Sequence, residues 1–149
     1  MAGAVTGEHE RYARYLLEFA NVAADDEAEL VRAVLTDPDR VMAESAVVRH
    51  LDLRAAALLT GPGFPAWAAR MGALVADHRF PARRLREWVL LRAITHDDGW
   101  RESDLTGASD WLQRRACAEP VASAALTILA ERGRTHRVRA AARRAREGV

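Results

Sequence analysis

Apolar residues recur three and four positions apart along nearly the whole chain, and no run alternates with period 2 long enough to make a strand. Each such stretch can bury one stripe of a helix and cannot bury one face of a sheet. The expected fold is therefore all-α. We expect about seven to nine helices stacked as antiparallel pairs, in a compact α-α hairpin stack or an irregular helical bundle.

Helix boundaries are marked by Asp, Pro and Gly. Tyr12, Tyr15, Leu16, Phe19 and Ala20 predict a first amphipathic helix over about 7–22. Asp25, Asp26, Glu27 and Glu29 open a second, with negative charge where the macrodipole favours it. Asp37-Pro38 reads as an N-cap followed by proline at the first helical position. The third helix has Val41, Met42, Ala43, Ala46, Val47, Val48 and Leu51 around most of its circumference, so it is expected to be central, with a shorter piece over Asp52 to Leu59 behind it.

Gly61-Pro62-Gly63 is a loop. Phe64-Pro65 and Phe80-Pro81 then open two helices whose core includes Trp67 and Trp88. His96 to Trp100 reads as a turn, followed by a polar stretch and a short helix around Trp111. Pro120 is expected to start a helix that stops at Gly133, and a last helix runs over about 135–147.

With 149 residues, 50% of them apolar and 29% charged, the chain can bury a core without metal or disulfide, which excludes a wholly disordered polymer. One domain over 8–149 is expected, behind a flexible tail at 1–7. That tail lacks the basic and apolar regions of a signal peptide. A single cysteine and the lack of any apolar run of about 20 residues point to a cytoplasmic, non-membrane protein.

Pro38, Pro81 and Pro120 are 43 and 39 residues apart, near the period of about 40–47 residues of two-helix repeats. Asp37-Pro-Asp-Arg-Val41, followed by Ala43 and Ala46, and Gly133-Arg-Thr-His-Arg-Val-Arg-Ala-Ala-Ala142 resemble the junction and second-helix start of HEAT-type repeats. The resemblance spans about residues 25–147. It departs from that pattern in its irregular spacing, its Gly-Pro-Gly interruption, and in having only Val138-Arg139 in the clean Val-Arg form. It implies a surface presented to a protein or nucleic-acid partner.

All 22 basic residues are arginine, and they are unevenly placed. Residues 131–149 carry seven Arg and two Glu, a formal +5, whereas residues 1–30 carry two Arg and seven acids, a formal −5. Arg134, Arg137, Arg139, Arg143, Arg144 and Arg146 are the candidate partner-binding residues, able to neutralise phosphates or meet an acidic protein surface. The alternative is a solvated helix whose arginines complement its own dipole. The acidic and basic ends could also pair with each other, within one chain or between two.

Trp100, Asp104, Asp110 and Trp111 are a possible pocket, with satellite packing as the alternative. Together with the arginines they supply the residue types of HEAT-like DNA glycosylases, the one enzymatic alternative. The five histidines lack metal-ligand spacing, and Cys117 lacks a catalytic context. No phosphate loop or serine-nucleophile elbow occurs, and no metal or cofactor is expected. The expected function is a non-enzymatic interaction module that binds a protein partner through a helical groove or the arginine helix, with nucleic-acid binding as the alternative.

Overall fold

The computed structural model describes residues 2–148, with side chains from Gly7 onward. Among the described residues the chain is all-α, with no strand. Its elements are α1 (Ala2–Asn21), a 3-10 turn (Ala24–Asp26), α2 (Glu27–Val34), α3 (Arg40–Leu58), α4 (Phe64–Val75), α5 (Arg79–Thr95), α6 (Glu102–Thr106), α7 (Asp110–Ala116), α8 (Ser123–Arg132) and α9 (His136–Glu147). They fall into two compact units, Met1–Arg86 and Glu87–Val149. Helix α1 starts at Ala2, within the stretch expected to be a tail, and Ala2 and Ala4 are good helix formers.

In the first unit, α3 packs against α1, α2 and α4. Its buried residues Met42, Ala43, Ala46, Val47, His50, Leu51 and Ala55 form one stripe, while Val41 is 77% exposed, so α3 buries a face and not its circumference. It is also one continuous helix to Leu58, because Leu51-Asp52 contains no breaker. The expected second piece does not exist. Asp37 is not its cap either. Asp39 is, its side chain accepting from the Met42 N–H at 3.1 Å. Asp37 Oδ1 instead accepts from Asp39 N–H at 2.8 Å, and its Oδ2 accepts from Tyr15 Oη at 2.6 Å and Arg11 Nε at 3.2 Å, tying α1 to the α2–α3 turn.

In the second unit, α8 and α9 form the closest pair, with α6 against α8 and α7 against α9. Trp88 is fully buried, meets Trp111 edge-on at 5.6 Å, and has the Arg115 guanidinium 5.0 Å from its ring centre. Helix α8 starts at Ser123, not at Pro120, because Ala122 N–H is drawn to Ile94 O at 3.2 Å and the chain straightens before the helix. Helix α6 forms where only a polar turn is expected, with Asp104 Oδ2 accepting from Arg101 N–H at 3.0 Å. Pro38 precedes α3, Pro81 is the third residue of α5 and Pro120 precedes α8, so the three prolines do not mark equivalent positions.

At Gly133, the C-cap of α8, there is no room for a side chain. A Cβ there would lie 2.6 Å from Leu129 O and 2.7 Å from Val138 Cγ1. The buried Gln113 side chain holds the same corner. Its Nε2 donates to Leu105 O at 2.9 Å, and its Oε1 accepts from Arg134 N–H at 2.8 Å.

Candidate functional site

Helix α1 sets Tyr12, Leu16, Phe19 and Ala20 beside Ser45, Val48, Arg49, Asp52, Leu53 and Arg54 of α3. Two depressions lie along this seam. One, of about 400 Å³, is lined by Leu16, Phe19, Ala20, Arg49, His50, Leu53 and Arg54. The other, of about 300 Å³, is lined by Tyr12, Ser45, Val48, Arg49, Asp52, Leu53 and Phe80. Both include Arg49 and Leu53, so they adjoin as one groove. Leu53 and Phe80 are exposed, at 62% and 66%.

Behind the first depression lies a buried carboxylate. Glu27 is 2% exposed, and its Oε2 sits 2.6 Å from His50 Nε2, 3.1 Å from Trp67 Nε1 and 3.3 Å from Arg54 Nε. Burial alone pushes the Glu27 carboxyl up. The hydrogen bonds from His50 and Trp67 and the charges of His50 and Arg54 outweigh it and bring the group down to about 2. Glu27 Oε1 has no partner among the described residues. Phe19 stacks on the His50 ring, with centroids 4.3 Å apart and planes 17° apart. The carboxylate fixes the Nε2 proton of His50, and Phe19 fixes the plane of the ring.

This cluster is missed by sequence reasoning, which places Glu27 among the acids that open α2 and counts His50 among scattered histidines. A signal exists. Glu27, Val31 and Val34 are spaced i, i+4, i+7, which puts the acid on the buried stripe of its own helix. His50 lies between Val47 and Leu51 in the same way on α3.

The candidate arginines divide into two sets. Arg139 Nη1 donates to Gly133 O at 2.8 Å and Arg143 Nη2 to Ala130 O at 3.4 Å, so these two satisfy carbonyls at the C-terminal end of α8. The side chains of Arg134, Arg137, Arg144 and Arg146 are exposed and have no ion-pair or hydrogen-bond partner among the described residues. Arg143, Arg146 and Glu147 border a shallow depression of about 340 Å³.

The four candidate pocket residues are engaged separately. Trp100 Nε1 donates to Asp97 Oδ1 at 2.8 Å, Asp104 caps α6, Asp110 pairs with Arg114 Nε at 2.9 Å, and Trp111 lies on Trp88. Cys117 is half-buried, its Sγ 3.3 Å from Gln113 O, and burial pushes its thiol up against the opposing charge of Arg144. Among the described residues no group of three His, Cys, Asp or Glu is placed to hold a metal ion, and no helix is long and apolar enough to cross a membrane.

Comparisons with protein families, with curated proteins and with solved structures return no match.

Proposed function

We propose that the protein is a non-enzymatic interaction module whose α1/α3 groove receives an amphipathic helical segment of a protein partner. The observation that carries this reading is the adjoining pair of depressions with exposed Leu53 and Phe80 on the wall and Arg49 at their junction. Apolar side chains on a two-helix seam accept the i, i+4, i+7 anchors of a third helix. Arg49 has no ion-pair or hydrogen-bond partner among the described residues, so it favours a segment with acidic residues beside its apolar face. The resemblance to HEAT-type repeats, whose members present helical surfaces to partners, points the same way.

The test is selection from a displayed library of amphipathic helical peptides against the full chain. Enriched peptides are measured by fluorescence anisotropy against wild type, a Leu53→Asp/Phe80→Asp variant and an Arg137→Glu/Arg144→Glu variant. The reading expects binding that is lost in the first variant and kept in the second. Equal binding to wild type and the groove variant, or no enrichment, overturns it.

A second reading, nucleic-acid binding through α9 and the residue Arg134 before it, is favoured by four exposed arginines without side-chain partners: Arg134, Arg137, Arg144 and Arg146. It expects labelled DNA or RNA to bind at low salt, with affinity falling steeply as salt rises, and to be lost on Arg137→Glu/Arg144→Glu.

A further inference from the structure

The larger depression differs from its neighbour in a way that specifies chemistry. Its walls are Leu16, Phe19, Ala20 and Leu53, and its polar lining is Arg49, His50 and Arg54. Arg54 uses Nε on Glu27 at 3.3 Å, which leaves its two terminal nitrogens without a partner among the described residues. Arg49 has none of its donors engaged. The Asp52 carboxylate, on the side of the smaller depression, is held by Arg84 at 2.6 Å.

We propose that this depression is the anchor point of the groove for a single carboxylate on an apolar stem, supplied by an acidic residue of the docking segment. The inference rests on the groove reading above and names which part of the partner enters which part of the seam.

Charge decides between anions. Arg49 and Arg54 bring two positive charges and the buried Glu27 behind them cancels one, a balance of one positive charge among these three side chains. That suits a monoanion better than a phosphate dianion. Guanidinium forks match the two oxygens of a carboxylate, and apolar walls favour a stem of methylene or aromatic carbons over a hydrated one. Glu27 and Phe19 act as positioning residues. Glu27 restrains Arg54 and His50 through Oε2, and Phe19 closes the wall against the imidazole face.

The experiment titrates the isotope-labelled 149-residue chain with 4-phenylbutyrate, 4-phenylbutyramide and phenyl phosphate, following backbone amide resonances. The expected result is saturable, roughly millimolar binding of 4-phenylbutyrate, with the shifts centred on residues 16–20 and 49–54, and at least about tenfold weaker binding of the amide. Arg49→Gln, at an exposed position, should weaken 4-phenylbutyrate about tenfold and leave the melting temperature unchanged, while Arg134→Gln changes neither.

Equal binding of acid and amide, tighter binding of phenyl phosphate, shifts centred elsewhere, or no effect of Arg49→Gln overturns the anchor. If the peptide selection succeeds while 4-phenylbutyrate fails, the anchor falls and the groove stands. If both fail, the groove falls with it.

Discussion

Glu27 Oε2 lies 2.6 Å from His50 Nε2, although the two residues belong to different helices and are separated by 23 positions in the chain. Trp67 and Arg54 converge on the same oxygen, so one carboxylate of α2 fixes three side chains, two from α3 and one from α4. Removing any single partner leaves a buried charge less compensated, which is costlier than losing an exposed pair. The groove wall is thereby anchored to the core by polar contacts that require a defined register between helices.

Acid should release this anchor. Glu27 is held at about 2 in the folded chain against an ordinary value of 4.5, so its contribution is complete above pH 4.5 and is lost as pH falls toward 2. The shift corresponds to about 3 kcal/mol. Urea melts at intervals from pH 6 to pH 2.5 should show stability falling over that window, with a shallower fall in Glu27→Gln. A variant with the same acid limb as wild type would show that other carboxylates dominate.

Tyr15 should titrate above its ordinary value of 10. The hydrogen bond to Asp37 contributes most, followed by burial and the Asp37 charge. Absorbance titration at alkaline pH in a Tyr12→Phe background isolates this phenol. Asp37→Asn should move the transition down, and an unmoved transition would leave burial as the sole cause.

Gly133→Ala should destabilise the protein by about 1–3 kcal/mol, because the new methyl group meets a carbonyl and a core valine that cannot both retreat. Gly133 has φ −55 and ψ 146, an ordinary conformation for any residue, so the cost is one of space. A urea midpoint equal to wild type would show that α8 and α9 part easily.

Local signals carried the fold class and most helix positions. The Gly133 stop and the Thr135 start of α9 are written in adjacent residues, and Thr135 Oγ1 accepts from Val138 N–H at 3.1 Å as a local cap. Asp37 misled because a side chain next to proline has two local uses, and its partners Tyr15 and Arg11 come from another helix. Pro120 misled because a tertiary hydrogen bond, Ala122 N–H to Ile94 O, delays the helix. The candidate site was less legible. A buried Glu in a first turn looks like a dipole-favoured surface acid until α3 and α4 deliver His50, Arg54 and Trp67 to it.

Cys117 should be slow toward thiol reagents. Burial pushes its thiol up, and Sγ lies against Gln113 O, so little thiolate forms and access is restricted. In native buffer at pH 8 its rate with a disulfide reagent should be at least about tenfold below that of the urea-unfolded chain. Equal rates would mean that the α7 end opens freely.

The arginines of α9 should separate into structural and free groups when changed singly to alanine. Arg139→Ala removes the donor to Gly133 O at the end of α8 and should cost about 1 kcal/mol in a urea melt. Arg143→Ala, with a longer bond to Ala130 O, should cost less. Arg137 and Arg144 have no side-chain hydrogen-bond or ion-pair partner among the described residues, so Arg137→Ala and Arg144→Ala should stay within about 0.5 kcal/mol of wild type. Any salt-sensitive binding to nucleic acid should show the opposite order, following the pair without side-chain partners and sparing the two that cap α8. If stability and binding instead fall together across all four, the helix is a structural element and its charge is not a recognition surface.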